Sequence, residues 1–203
     1  MQRLVVATRN PNKVREIKAL LDGLPLEIYS LVEHPDLPPV EEDQPTYAGN
    51  ALKKAAAVRA AAGAAGAVII ADDSGLEVKA LEGLPGMHSA RFAGPGAGDR
   101  ANNRLLLERM SPLPPEKRAA AFRCVVAILF PDGKSCLVEE SCPGRIALAA
   151  RGESGFGYDP LFIYEPAGLT FAEMGAKEKN RVSHRGKALR RVRSLIERWL
   201  GRC

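Results

Sequence analysis

Short apolar runs alternate with helical patterns through the first third of the chain, and this alternation limits the fold more than any other feature. Residues 3–7, 26–31 and 68–71 have the length and composition of β-strands. Between them, residues 12–21 have one apolar helical face, and the alanine-rich residues 46–62 favour a second helix. Strands that alternate with helices in this way predict an α/β fold with a mixed sheet.

Turn residues divide the rest of the chain. Residues 82–98 are rich in glycine and proline and predict a loop, after which residues 99–110 return to a helical pattern. Two apolar segments, 122–130 and 135–140, flank a Pro-Asp-Gly-Lys turn and predict a hairpin. A short strand is predicted over 161–164. The chain ends in an amphipathic helix whose apolar side comprises Leu189, Val192, Leu195, Ile196 and Leu200.

Length and composition fit an ordinary globular protein. The 203 residues suit one domain or two small lobes that share a sheet, and we expect a single domain over 1–203. Hydrophobic residues make up 46% and charged residues 26%. No apolar run approaches the roughly 18 residues of a membrane span, and the N-terminal run is too short for a signal peptide. We therefore expect a cytoplasmic protein with no membrane partner.

The formal charge of +5 lies largely in residues 181–202. Such a surplus can attract nucleic acid or polyphosphate, although a solvated basic helix face explains it equally well. Aromatic residues make up only 5%, which leaves few platforms for stacking single-stranded bases. The cysteines lack a Cys-x-x-Cys pair, so we expect reduced thiols and no zinc site. They are Cys124, Cys136, Cys142 and Cys203.

Two adjacent carboxylates, Asp72 and Asp73, follow the third apolar run. We expect a turn over 72–75 and a new strand over 76–80. Neighbouring strand residues point to opposite faces, so only one of the pair can easily face a given cleft. Carboxylates suit Mg²⁺, which prefers oxygen ligands, and Glu41 or Glu42 could add a second one from the acidic loop. An Asx turn that holds no metal is the alternative interpretation.

The turn between the first strand and the first helix has the chemistry of an anion site. Backbone N–H groups and the positive end of a helix can hold a phosphate there. The segment comprises Thr8, Arg9, Asn10, Pro11, Asn12 and Lys13. A capped helix with basic residues in solvent is the alternative.

Two later segments suit the rest of a nucleotide. Glycines flank Phe156 and Tyr158, whose rings could stack on a base while Asp159 fixes its orientation. Lys179 precedes Ser183-His184-Arg185-Gly186, where Ser183 has the position of a helix N-cap beside two basic side chains. Each segment alone could be structural. Together with the carboxylates they provide the kinds of group that bind a nucleoside polyphosphate and its metal.

Five short motifs in this order closely resemble the Ham1-like inosine triphosphate pyrophosphatase family, also called dITP/XTP pyrophosphatases. The resemblance runs from residue 4 to about residue 190. The motifs are Thr8-x-Asn10-x-x-Lys13, Ala71-Asp72-Asp73-Ser74-Gly75-Leu76, Gly83-Leu84-Pro85-Gly86 with Ser89-Ala90-Arg91-Phe92-Ala93-Gly94, Phe156-Gly157-Tyr158-Asp159-Pro160 and Ser183-His184-Arg185-Gly186.

The resemblance implies an elongated central mixed sheet flanked by helices, two lobes with the active-site cleft between them, and a homodimer. It implies Mg²⁺-dependent hydrolysis of ITP, dITP and XTP to the monophosphate and pyrophosphate, which cleanses the nucleotide pool. Asp73 would be the general base and a metal ligand, with Glu41 or Glu42 completing the metal site. The substrate would contact Thr8 to Lys13, Ser74, Phe156, Gly157, Tyr158, Asp159, Lys179, His184 and Arg185.

One position departs from the family pattern. The family carries Glu-Asn-Ala where this chain has Gly49-Asn50-Ala51. A glutamate there would complete a capping box with Thr46, and glycine costs up to about 1 kcal/mol in helix propensity. Glu41 and Glu42 must then carry more of the metal site.

Two rival functions stay open on the sequence. A pyrophosphatase for other modified nucleotides, such as pyrimidines, would use the same residues. A basic nucleic-acid-binding module would use the terminal helix and bind in a salt-sensitive way, but it would leave the carboxylates without a role. We expect no stable nucleic-acid complex.

Overall fold

The computed structural model describes residues 1–33, 40–61, 64 and 66–201. Over these residues it contains eight β-strands and five α-helices in mixed α/β order, which confirms the predicted fold class. The elements are β1 (Gln2–Val6), α1 (Pro11–Leu21), β2 (Leu26–Ser30), α2 (Tyr47–Ala60), β3 (Val68–Val78), β4 (Pro85–Gly86), α3 (Asp99–Met110), β5 (Ala119–Leu129), β6 (Ser135–Ile146), β7 (Phe162–Tyr164), β8 (Leu169–Thr170), α4 (Ala176–Val182) and α5 (His184–Leu200).

The strands form one mixed sheet in the order β2-β1-β3-β5-β6-β7-β8, with β4 paired to β3. β1 is parallel to both β2 and β3, as expected for strands joined through helices. β4, β7 and β8 pair antiparallel with their neighbours. The hairpin between β5 and β6 closes at the predicted turn, where Gly133 has a φ of +84° and the Phe130 N–H donates to the Lys134 carbonyl over 2.8 Å.

The chain divides into two compact units. Unit one comprises the described residues of Met1–Asp73, Cys124–Glu140 and the chain from Gly186 onward. Unit two comprises Ser74–Arg123 and Ser141–Arg185. The single domain over 1–203 and the cleft between two lobes stay predictions.

In unit one, β3 is buried on both faces, and its alternate residues divide between the two faces. Val68 and Ile70 pack with α1 and α5 through residues such as Ile17 and Val192. Ile69 and Ala71 pack on the opposite face with Ala51, Ala55 and Val58 of α2. This period of two follows from the pleat of a strand, and it continues into the carboxylates that come next.

Unit two has its own core, in which Phe122 packs tilted on Phe162 and stacked on Phe171 at centroid distances of 4.7 and 5.8 Å. Arg118 is only 2% exposed, yet its guanidinium is satisfied because it donates hydrogen bonds to four backbone carbonyls. Those carbonyls belong to Met110, Leu113, Ile146 and Ala147.

The turn predicted over 72–75 is wrong. β3 continues from Val68 through the carboxylates to Val78 as one strand. An acidic pair commonly ends a strand because it needs solvent, but here Lys13 and Lys54 reach Asp72 and Asp73, so both carboxylates stay buried in the sheet.

Other boundaries shift by a few residues. The strand predicted over 76–80 ends at Val78 as the end of β3, and β6 extends beyond its predicted end to Ile146. The sequence patterns missed α4, β8 and the two-residue β4, which are too short to show a period. Residues 34–39 of the predicted acidic loop and Ala62, the predicted end of α2, lie outside the described residues.

The described cysteines, Cys124, Cys136 and Cys142, form no disulfide among themselves. Cys203 lies outside the described residues. No helix in the described part of the chain is long and apolar enough to cross a membrane.

Candidate functional site

Asp72 and Asp73 point to opposite faces of β3, as predicted, and each meets a lysine from a different helix. On the α1 face, Lys13 Nζ lies 2.9 Å from Asp72 Oδ2. On the α2 face, Lys54 Nζ lies 3.1 Å from Asp73 Oδ1. The carboxylates are only 3% and 5% exposed, so these ion pairs offset a large loss of hydration.

Each carboxylate oxygen of Asp73 accepts a hydrogen bond. Its second oxygen accepts a 3.0 Å hydrogen bond from Asn50 Nδ2, and Asn50 is itself 2% exposed. Lys54 also donates to Glu42 Oε1 over 2.9 Å, so a single ammonium group joins two carboxylates. We call Lys13, Glu42, Asn50, Lys54, Asp72 and Asp73 the carboxylate–lysine cluster.

Burial and charge act in opposite directions on this cluster. Burial raises the pKa of Asp73 and the charge of Glu42 adds to the rise, while Lys54 opposes it. Burial alone would lower the pKa of Lys54, but attraction to Asp72, Asp73 and Glu42 outweighs it and raises the pKa. Lys54 therefore stays charged, and Asp73 is a better proton acceptor than an ordinary aspartate.

Glu42, rather than Glu41, joins the cluster. Glu41 is exposed, whereas Glu42 is half-buried and bonded to Lys54. No three His, Cys, Asp or Glu side chains converge as a metal shell among the described residues. Mg²⁺ needs only one or two carboxylates besides phosphate and water, and Lys54 shows that one cation can reach both Asp73 and Glu42. The donor set fits the metal.

The turn before α1 is an N-cap rather than a row of open N–H groups. Asn10 Oδ1 accepts from the N–H groups of Asn12 and Lys13 at 2.9 and 3.2 Å, and Pro11 has no N–H. Thr8 Oγ1 accepts from the Asn10 N–H over 3.2 Å. The expectation of free backbone donors here is wrong, because the cap uses them. Phosphate binding by this segment would rest on side chains, chiefly the cationic ones.

A second group of side chains forms in unit two around Phe156. Lys179 Nζ lies 2.6 Å from Asp159 Oδ2 and 4.8 Å from the centroid of the Phe156 ring. The Arg185 guanidinium lies 5.5 Å from the same centroid and donates to Ser74 Oγ over 2.8 Å. Cations at these distances are attracted to the ring face. We call Ser74, Phe156, Asp159, Lys179 and Arg185 the Phe156 cluster.

The glycine loop that carries Phe156 is held by hydrogen bonds between α3 side chains and the loop backbone. Gly155 has a φ of +81°, and a Cβ there would collide with the Asp159 carboxylate. Asp99 and Asn103, one turn apart on α3, bond the Gly157 N–H and carbonyl over 2.6 and 2.9 Å. The loop is therefore fixed at both polar groups of Gly157.

Two residues predicted near the base lie deeper than expected. Tyr158 is 3% exposed within the core of unit two, and its hydroxyl donates to the Ser89 carbonyl over 2.9 Å. Burial raises the pKa of Tyr158 strongly. His184 is also buried and stacks on Phe122 at 4.6 Å. Their contact with substrate stays a prediction, and Phe156 is the loop ring that the cations approach.

Residues 4–195 match the model of the Ham1 family. The chain belongs to the Ham1 family. It is 52% identical over 201 residues to a dITP/XTP pyrophosphatase of Geobacter sulfurreducens, with 99% of this chain and 98% of the relative covered. A dITP/XTP pyrophosphatase of Syntrophobacter fumaroxidans is 50% identical, with 97% of this chain and 84% of the relative covered.

Solved structures of the Ham1 family share the fold. A HAM1 protein from Coxiella burnetii aligns with a TM-score of 0.85 at 34% identity, covering 98% of this chain and all of the other. The Staphylococcus aureus Ham1 protein gives a TM-score of 0.83, also at 34% identity, over 97% of this chain and 98% of the other.

Sequence reasoning missed Asn50 and Lys54, both of which bond Asp73. Their spacing of four residues on α2 places an amide and an ammonium group on one helix face, which is a signal the sequence carries. That signal is weak, because polar residues at this spacing are common on exposed helices. It gains meaning only when β3 is known to face α2.

Proposed function

We propose that this Ham1-family chain hydrolyses the deaminated purine nucleoside triphosphates ITP, dITP and XTP to the monophosphate and pyrophosphate, with Mg²⁺ as cofactor. Its curated relatives at 44–52% identity are dITP/XTP pyrophosphatases over nearly their whole length or most of it. The observation that carries the proposal is the buried Asp73, held by an amide and an ammonium group beside Glu42.

In the proposed reaction, Asp73 and Glu42 would hold the cation. Bound Mg²⁺ would supply a Lewis acid that draws charge from the phosphate oxygens. Lys54, which bonds both carboxylates, would supply positive charge to the triphosphate. Lys13, on the opposite face of β3, is the second cation of the cluster.

Asp73 also serves as the general base. It removes a proton from the attacking water as the oxygen bonds to phosphorus at the α–β anhydride. The anhydride P–O bond breaks, and its electron pair leaves on pyrophosphate, whose charge Lys13 and Lys54 stabilise.

The Phe156 cluster supports the assignment to a nucleotide. Its ring offers a planar surface for a base, and Lys179 and Arg185 bring positive charge beside it. Selection for ITP over ATP must act at purine position 6, which is a carbonyl in hypoxanthine and an amino group in adenine. The Arg185 guanidinium is the proposed donor, because a buried donor left unpaired against adenine gives strong discrimination.

The homodimer, the cytoplasmic location and the lack of a stable nucleic-acid complex belong to the same proposal. They are supported by the family resemblance rather than by contacts within this single chain. Sedimentation at micromolar concentration tests the dimer. The expected particle has twice the mass of the 21.8 kDa chain.

A substrate panel tests the function. Pyrophosphate release is measured with dITP, XTP, dATP and dUTP, each with Mg²⁺ and with chelator. We expect rapid release from dITP and XTP that needs Mg²⁺, and at least ~10²-fold slower release from dATP, the scale that hydrogen-bond discrimination provides. Preferred release from dUTP would favour the pyrimidine alternative. Salt-sensitive binding of DNA with no hydrolysis would overturn the enzyme assignment.

A further inference from the structure

The acidic segment before α2 is fastened to that helix. Glu42 bonds Lys54 over 2.9 Å, and the next residue, Asp43, bonds Lys53 over 2.8 Å. The Asp43–Lys53 pair is 46% and 35% exposed at its side chains, so it contributes little stability. A further contact must set where Glu42 lies.

That contact runs through the residue after Asp43. The Gln44 backbone N–H donates over 3.0 Å to Asn50 Oδ1, and the other end of the same amide, Nδ2, donates over 3.0 Å to Asp73 Oδ2. An amide group is planar, so moving its acceptor end also moves its donor end. The position of the Gln44 backbone is thereby linked to the orientation of the Asp73 carboxylate.

Gly49 leaves the space in which Gln44 lies. A Cβ at Gly49 would lie 2.8 Å from Gln44 Cβ and 3.4 Å from Gln44 Cγ, and the first distance is shorter than real Cβ contacts. The backbone at Gly49 is ordinary helix within α2, so the position does not need glycine for its conformation. Alanine would favour the helix by about 1 kcal/mol. What glycine provides here is room.

We propose that Gly49 is a positioning residue for the metal-binding carboxylates. Its missing side chain lets Gln44 seat against the first turn of α2, and that seating places Glu42 beside Lys54 and aims the Asn50 amide at Asp73. The inference rests on the proposed function, in which Asp73 and Glu42 hold the cation. It predicts that the loss of metal binding caused by a side chain at position 49 can be restored by a substitution at position 44.

A double-mutant cycle of Gly49→Ala and Gln44→Gly tests the claim. The readouts are Mn²⁺ binding without substrate, measured by electron paramagnetic resonance, and kcat and KM for dITP. We expect Gly49→Ala to weaken Mn²⁺ binding about tenfold and to lower kcat about tenfold with KM nearly unchanged, the scale found for residues that orient metal ligands. Its Tm should not fall, because alanine is the better helix former.

The second substitution removes the Gln44 atoms, including the closest one, and leaves Thr46 Oγ1, which would lie 3.2 Å from the added Cβ. Gln44→Gly deletes the Cβ and Cγ that crowd position 49 but keeps the backbone N–H that bonds Asn50. We expect the double variant to bind Mn²⁺ within about twofold of Gln44→Gly alone, a strong coupling for two residues in contact. Ala48→Gly is the matched control, because it alters helix propensity in the same turn and adds no atom.

Two outcomes overturn the proposal while the proposed function stands. One is additive losses in the cycle, and the other is wild-type Mn²⁺ binding by Gly49→Ala in a chain that hydrolyses dITP. A fall in Mn²⁺ binding by Ala48→Gly equal to that of Gly49→Ala would show that any change in this turn has the effect, without contact to Gln44, and would likewise overturn it. A wild-type chain that neither binds Mn²⁺ nor hydrolyses dITP would overturn both proposals.

Discussion

The carboxylate–lysine cluster and the Phe156 cluster differ in the sign of their formal charge. The carboxylate–lysine cluster combines Asp72, Asp73 and Glu42 with two lysines, which gives a formal charge of −1. The charged members of the Phe156 cluster are Lys179, Arg185 and Asp159, which gives a formal charge of +1 for the named residues. The negative surplus is compatible with the proposed cation, and the positive surplus with a phosphate.

The two clusters also differ in what surrounds their charged groups. Asp73 is fixed from two sides by hydrogen bonds of 3.0 and 3.1 Å, which suits the proposed general base. The cations of the Phe156 cluster are also held by hydrogen bonds, from Lys179 to Asp159 over 2.6 Å and from Arg185 to Ser74 over 2.8 Å, but they lie beside a ring face that could stack on a base. Changes in the first cluster should therefore affect turnover, and changes in the second should affect binding and selectivity.

The largest expected effect comes from neutralising one carboxylate in each cluster and comparing the two variants. Asp73→Asn should lower kcat for dITP at least ~10²-fold, because it removes the general base, and should leave the far-ultraviolet circular dichroism spectrum unchanged. Asp159→Asn is the matched change in the Phe156 cluster and should act mainly on KM. Steady-state kinetics of both variants decide the matter, and near-wild-type kcat for Asp73→Asn would remove it from the mechanism.

The next effect concerns stability and its pH dependence. Lys54→Met leaves Asp73 and Glu42 without their shared cation and should cost about 3 kcal/mol at pH 8, the scale for breaking a buried ion pair. Without Lys54 the pKa of Asp73, already raised by burial, rises further above its unfolded value. The folded state then binds protons more tightly than the unfolded state, so lowering the pH favours folding.

The loss in free energy of unfolding caused by Lys54→Met, relative to wild type, should accordingly shrink as the pH falls from 8 to 5. Thermal unfolding at both pH values measures it. Lys53→Met is the matched control, because its partner Asp43 is exposed and the change should stay within about 0.5 kcal/mol. A deficit that grew on acidification would contradict the assigned role of Lys54.

The smallest effect tests the Phe156 cluster directly. Arg185→Ala should reduce the preference for dITP over dATP about tenfold, as expected for losing one specific hydrogen-bond donor, with kcat for dITP little changed. Lys177→Ala removes an exposed charge from α4 and serves as the control. If Arg185→Ala kept full selectivity, another donor would have to read purine position 6.

Much of the fold could be predicted because its signals are local. α3 was predicted over its observed bounds, and the Thr46 N-cap bonds the Gly49 N–H over 3.0 Å as the pattern implied. The opposed faces of Asp72 and Asp73 follow from the strand period alone. The turn at 72–75 was wrong for the complementary reason, because no local pattern indicates that two lysines will neutralise an acidic pair.

The sequence alone determined the order of most elements, the family and the types of chemical group at the site, since periodicity, caps and motifs depend on neighbouring residues. Tertiary structure decided the pairings. Lys54 meets Asp73 across 19 positions of sequence, and Arg185 meets Ser74 across 111. It also decided that Glu42 rather than Glu41 reaches Lys54, and that Gly49 makes room for Gln44. Contacts of this kind depend on how helices pack on strands, which no short stretch of sequence specifies.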